Sequence, residues 1–238
     1  MTEWFQEWFG EEYLRLYPHR DDADAEALVR LIRANVPWRE GMRVLDVGCG
    51  PGRHAHALEQ AGARVAGLDL SKVLLLHAQK VVQGPLVRAD MRALPFRAGC
   101  ADLTVNLFTS FGYFAEDLEH AAALAGMVET VHPAGWFVID FLHRSSVVAL
   151  VEAGAPIPRG DGCVSITKRL VDGGRYVEKR FQLDDGRSFI ERVRLFTPQE
   201  LETMLQAAGL TVRCRFGDYA GGPITAGSPR AILMGDRG

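Results

Sequence analysis

Residues 44–54 read Val-Leu-Asp-Val-Gly-Cys-Gly-Pro-Gly-Arg-His, an apolar run that enters three alternate glycines, Gly48, Gly50 and Gly52, and leaves into helical spacing. Glycines at this pitch let the backbone turn sharply and let a ligand approach without a Cβ in the way. About 17 residues after Gly52, Asp69 closes the next apolar run, close to the spacing at which a strand-end carboxylate bridges the two hydroxyls of an unphosphorylated ribose. A tight strand-to-helix turn and an ordinary helix cap would account for any one of these residues taken singly. Taken together they describe a cradle for a nucleoside. The spacing also separates kinds of nucleoside, because the dinucleotide fingerprint needs a glycine where this chain has Arg53, and Gly52 comes one residue early. Asp46, just before the loop, adds a carboxylate suited to the amino group of a bound amino acid, a group that dinucleotides lack.

A strand must lead into that loop and a helix out of it. Short apolar runs at 43–47, 64–68, 86–89, 103–107 and 136–140 predict buried parallel strands, and helical spacing at 54–61, 71–81 and 116–131 falls between them. A helix over 23–34 precedes the first strand. The order is that of a doubly wound α/β sheet. After about Gly154 the pattern changes: 163–170, 176–183 and 189–196 are β-rich and joined by Asp172-Gly173-Gly174 and Asp184-Asp185-Gly186, which are hairpin turns. Thr197, Pro198 and Glu200 then form the N-terminal signature of a helix ending near Gly209, followed by strands at 211–216 and 230–234. The division expected is N-terminal helices over 1–40, a main domain from 41–153 and 197–238, and an antiparallel β insertion over 154–196.

At 238 residues, 47% hydrophobic and 24% charged, the chain has the composition of one soluble domain with an appendage. No window resembles a membrane span or a secretory signal, so the cytoplasm is the expected location. A net charge of -3 gives no pull toward nucleic acid. The four cysteines, 49, 100, 163 and 214, have neither disulfide-framework nor zinc spacing.

On the motif Asp46-Val47-Gly48-Cys49-Gly50-Pro51-Gly52 with Asp69, the chain closely resembles the class I S-adenosylmethionine (SAM)-dependent methyltransferases of the type 11 and type 25 domain group. The resemblance implies a seven-stranded Rossmann-like sheet, SAM as cofactor, S-adenosylhomocysteine (SAH) as product, and no metal. It places Asp46, Gly48, Cys49, Gly50 and Gly52 around the methionine part, and Asp69, with Leu70 and Ser71 after it, at the ribose. Asp90 would read the adenine amino group, and the backbone of Met91 a ring nitrogen. Asn106 and Phe108 would lie beside SAM, and the segment to Phe114 would form the rim facing the methyl group and its acceptor. Phe111, Tyr113 and Phe114 remain open between core and wall. The stretch after the fourth strand is not the Asn-Pro-Pro-Tyr type that grips adenine or glutamine.

The implied activity is methyl transfer to a small molecule, with O, N and C all open as the atom methylated. Holding the acceptor in line and excluding water is the protein's main task. If the acceptor must lose a proton, His54, His143 and Tyr113 are the candidates. The aromatics of the first 17 residues have helical spacing, which fits either a face packed on the core or a lid over the cofactor mouth. In the second case Tyr13 or Tyr17 would reach the methionine carboxylate, with Arg20 as a further partner. In the insertion, Lys168, Arg169, Lys179, Arg180, Arg192 and Arg194 alternate with apolar residues, which predicts one wet face; an anionic acceptor or a second subunit of a homodimer is the other use of such a face. Two further readings stand beside the enzyme: a protein that binds SAM or SAH without catalysis, and an NAD-dependent oxidoreductase.

Overall fold

The computed structural model describes residues 3–17, 22–154 and 163–238. The chain order is α1 (Trp4–Trp8), α2 (Glu11–Leu16), α3 (Asp22–Asn35), β1 (Arg43–Val47), α4 (Arg53–Gln60), β2 (Arg64–Asp69), α5 (Lys72–Ala78), β3 (Leu86–Arg88), β4 (Ala101–Asn106), α6 (Asp117–Glu129), β5 (Val131–Leu142), α7 (Arg144–Glu152), β6 (Cys163–Val171), β7 (Tyr176–Leu183), β8 (Ser188–Arg194), α8 (Pro198–Ala207), β9 (Thr211–Phe216) and β10 (Arg230–Asp236).

Seven strands form one sheet in the order β3-β2-β1-β4-β5-β10-β9, with β10 antiparallel to both of its neighbours. Strands buried on both faces need helices on both sides, and β1 and β4 show why. Val44, Leu103 and Val105 pack with Leu28 and Ile32 of α3 and Leu58 of α4. Leu45 and Val47 share the opposite cluster with Leu124 and Met127 of α6 and Leu201 and Leu205 of α8. Between β1 and β4 the strand order reverses direction, which opens a crevice at their carboxyl ends.

The cap expected at Thr197 is present: its hydroxyl accepts from the Glu200 amide at 3.1 Å while Glu200 accepts from the Thr197 amide at 2.7 Å. Strand β5 starts five residues earlier than the apolar run at 136–140, at Val131, because an irregularity separates the Ala101–Val131 pairing from Leu103–Trp136. Helix α7 has no counterpart in the sequence reading. Its start, Arg144-Ser145-Ser146-Val147-Val148, carries serines and β-branched residues, which are weak helix formers.

Strands β6, β7 and β8 form a separate antiparallel sheet. The expectation of one wet face carrying all the basic residues is corrected here. Lys168, Lys179 and Glu191 lie opposite one another across the three strands, on the same face as Phe181 and Phe189, and that face is covered by the N-terminal helices. Adjacent residues such as Lys168 and Arg169 must face opposite ways, so the six could not share a side. Arg194 is also buried, paired with Asp117 and Glu200.

Trp8 is the main contact between the N-terminal helices and this sheet. It is buried, stacks on Phe181 at 4.4 Å between ring centroids, and donates its indole N–H to Glu191 at 3.1 Å. Trp8→Ala is expected to lower unfolding free energy by about 3–5 kcal/mol, a loss that denaturant titration would read directly. A change below about 1 kcal/mol, the scale of an ordinary surface substitution, would mean that this contact does not hold the two parts together.

Candidate active site

The site begins where β1 ends. Gly48, Gly50 and Gly52 have φ of +78°, +56° and +89°, values that side chains rarely tolerate. A Cβ on Gly48 would sit 2.7 Å from that of Ser110, and one on Gly52 would sit 2.7 Å from Val82, so the loop is pressed between the turn after β4 and the end of α5. A Cβ on Gly50 would meet nothing within 4 Å, and Gly50 borders the main cavity.

The loop's own amides are spent internally. Gly48 and Cys49 both donate to the Leu68 carbonyl, Gly52 donates to Cys49, and Gly50 donates to the Asp69 carboxylate at 2.8 Å. A phosphate-binding loop points such N–H groups at its ligand. This loop does not, which disfavours a pyrophosphate and with it the NAD alternative. The other oxygen of Asp69 accepts from the Ser71 amide at 2.8 Å, and Ser71 caps α5 by accepting from Leu74. Burial pushes the Asp69 carboxyl above its ordinary range, against the pull of these amides.

Asp46 is 1% exposed, and one of its carboxylate oxygens has no hydrogen-bond partner. Burial, with Asp69 as a second negative neighbour, pushes its pKa up to about 7. Asn106 approaches from the other face of the sheet. Its amide nitrogen donates to the Val47 and Ser110 carbonyls while its Oδ1 is buried without a donor. Two buried acceptors lacking donors thus adjoin the glycine loop, the complement of a ligand that brings an ammonium. Together with the glycines and the strand-end Asp69, the residues present fit an amino-acid nucleoside.

Asp90, Met91, Leu70, Ser71, Cys49, Phe108, His54, Tyr113, Tyr13 and Tyr17 line the same cavity of about 660 Å³ as Gly48, Gly50 and Asp69. Asp46, Gly52, Asn106 and His143 are not among its lining residues. Arg20 lies outside the described residues. His143, at the start of α7, is buried and donates its amide to Pro229. Of the aromatics after β4, Phe111 belongs to the core, while Tyr113 and Phe114 border the cavity. Tyr113 donates its hydroxyl to the Thr109 carbonyl.

The N-terminal helices cover this cavity. The Trp4 and Phe9 rings meet Tyr113 at 5.4 and 5.3 Å, and Ser71 donates its hydroxyl to the Phe9 carbonyl. At one end, Arg92 joins Asp90 to Glu3 ahead of α1, and also reaches Glu119. At the other, Tyr17 donates to Glu191 at 2.9 Å and accepts from Lys179 at 3.0 Å. Burial foremost, with Glu191 adding, raises the Tyr17 pKa well above its ordinary value, so the hydroxyl stays a donor. Sequence reasoning missed Arg92 and Glu191, and took Phe9 and Ser110 only as members of the aromatic run and of the rim segment. Arg92, two residues past Asp90, had a local signal; Glu191 had none.

A family profile described as a methyltransferase domain matches residues 44–135. The chain is 30% identical over 218 residues to a dTDP-3-amino-3,4,6-trideoxy-alpha-D-glucopyranose N,N-dimethyltransferase of Streptomyces venezuelae, covering 87% of this chain and 90% of that protein. It is 31% identical to a dTDP-3-amino-3,6-dideoxy-alpha-D-glucopyranose N,N-dimethyltransferase of Streptomyces fradiae, over 93% of this chain and 87% of the relative. A SAM-dependent methyltransferase structure from Clostridium acetobutylicum superposes with a TM-score of 0.75 over 95% of this chain and 96% of its own, at 16% identity, and so shares the fold.

The state of Asp46 gives a prediction with a defined sign. The folded protein holds a proton on this carboxyl up to about pH 7, whereas the unfolded chain releases it near 3.8, so the unliganded protein loses stability as pH rises through that window. Asp46→Asn is therefore expected to raise the melting temperature at pH 8 and to change it little at pH 4. An equal shift at both pH values would show that the carboxyl does not titrate in this range.

Proposed function

We propose that this chain, which belongs to the SAM-dependent methyltransferases, transfers the SAM methyl group to an amino nitrogen of a small-molecule acceptor of the amino-sugar nucleotide class. The observation that carries the reading is a single cavity with the Gly48–Gly50 loop and Asp69 on one side and Phe9, Tyr13 and Tyr113 on the other. Nitrogen as the receiving atom is supported by two relatives that match most of the chain and are named as N,N-dimethyltransferases of dTDP-3-amino sugars, and by a third, 30% identical over 83% of this chain, named as a cypemycin N-terminal methyltransferase.

Bound SAM supplies a methyl already activated on a sulfonium, so the chain's residues contribute placement more than bond-making chemistry. The glycine loop would hold the amino-acid end, with the buried Asp46 beneath it as the charge that draws its ammonium, Asp69 would hold the ribose, and Asp90 with the Met91 backbone the adenine. Phe108 and Tyr113 face the acceptor. The aromatic residues of α1 and α2 close the cavity against water, which would otherwise solvate the attacking nitrogen. An amine arrives as an ammonium and must lose a proton before its lone pair is available. His54 and Tyr113, both on the cavity wall, are the groups proposed to receive or relay that proton; His143, buried and not among the lining residues, is not.

Incubation with methyl-labelled SAM should place label on dTDP-amino sugars and none on their hydroxyl counterparts, as read by mass spectrometry. Label on the hydroxyl compounds alone would overturn the choice of nitrogen; SAM binding with no transfer across amine, hydroxyl and carbon acceptors would favour a binding protein. Asp69→Ala should weaken SAM binding by roughly 2–4 kcal/mol, because a buried charged acceptor is lost. Unchanged affinity by calorimetry would remove Asp69 from the ribose.

A further inference from the structure

The turn that follows β4 is built against its own preferences. Phe108 and Thr109 have φ of +54° and +64°, two consecutive non-glycine residues in the left-handed region, the second of them β-branched. Such a conformation is strained and persists only where the surroundings impose it. Here the surroundings converge on Asp140, a fully buried residue of β5.

The Asp140 carboxylate accepts from the Phe108 amide at 3.1 Å, and its backbone carbonyl accepts from the Thr109 amide at 2.9 Å. Its charge is matched by Arg230 at 2.7 Å, and its Oδ2 also accepts from the Tyr219 hydroxyl at 2.9 Å. Arg230 reaches the Thr109 hydroxyl at 3.2 Å and lies over the Phe108 ring at 5.2 Å. Three distant segments therefore hold one turn. What the turn presents is part of the cavity wall: Phe108 itself, and Tyr113, whose hydroxyl rests on the Thr109 carbonyl.

We infer that Asp140, with Tyr219 and Arg230, is a positioning centre for methyl transfer, imposing the Phe108–Thr109 turn that sets where the cofactor and acceptor meet. The inference rests on the cofactor reading given above. It assigns Asp140 a task that charge pairing in the core alone would not require. An acid serving only to neutralise Arg230 has no need to take the amide of a strained residue, as the Asp140 carboxylate does at Phe108.

Glycine provides the discriminating test, because it adopts a φ near +64° without strain. SAH affinity by calorimetry and melting temperature would be measured for wild type, Asp140→Ala, Thr109→Gly and the double variant. Tyr219→Phe, which keeps the ion pair and removes one hydrogen bond, would be measured alone and with Thr109→Gly, in case Asp140→Ala does not fold. Asp140→Ala is expected to weaken SAH binding about tenfold, the scale of one lost charge-assisted hydrogen bond. Tyr219→Phe should weaken it in the same direction and less. Adding Thr109→Gly should recover most of the affinity of either variant while the melting temperature stays low. Affinity unchanged in the folded variants, or lost without any recovery by glycine, would overturn the positioning role. Wild-type protein that binds no SAH would instead overturn the cofactor reading, and this inference with it.

Discussion

The Asp69 carboxylate is the constraint on which the site depends. One oxygen fixes the middle of the glycine loop through the Gly50 amide, and the other fixes the entry to α5 through Ser71. A strand end, a loop and a helix start are thereby locked together by one side chain. The cost is a charge in a low-dielectric setting, offset by amides that are donors in any protonation state. Because Ser71 also donates to Phe9, the geometry chosen by Asp69 passes to the N-terminal helices. The crevice and its cover are thus not independent features.

That cover is held by chemically different contacts at its two ends. Arg92 gathers Asp90, Glu3 and Glu119 into a partly exposed ionic cluster, of the kind that salt screens. The contact with the β insertion is mainly packing, Trp8 on Phe181, with Glu191 and Lys179 enclosed beside it. The ionic end is therefore the more salt-sensitive of the two attachments.

Much of this was legible in the sequence, for a physical reason. The glycine loop, Asp69 and the Thr197 cap are local patterns, in which residues a few positions apart must act together, and strand and helix periods are local too. Contacts between distant segments leave no such mark: Asp140 meets Arg230 ninety residues away, and Trp8 meets Glu191 at a separation of 183. The period-2 pattern of the insertion correctly gave strands, yet it could not say which face would be covered, so Lys168 and Lys179 were expected in water. Helix α7 escaped because packing there overrides weak propensity.

The distribution of unmet hydrogen-bonding capacity carries the argument one step further. A folded domain pairs nearly all of its buried polar atoms, so exceptions call for a cause. Asp46 and Asn106 each leave an acceptor oxygen without a donor, and both adjoin the glycine loop from opposite faces of the sheet. Asp46 also stands beside a second acid, Asp69, which makes its own ionisation harder. Neither arrangement benefits the protein alone. Both are relieved by a ligand carrying a cation and N–H donors to this point. A dinucleotide would bring more negative charge here and deepen the conflict, whereas the amino-acid end of SAM, bound as proposed, would resolve it. On that proposed placement, the electrostatics beneath the loop favour the same ligand as the spacing of its glycines.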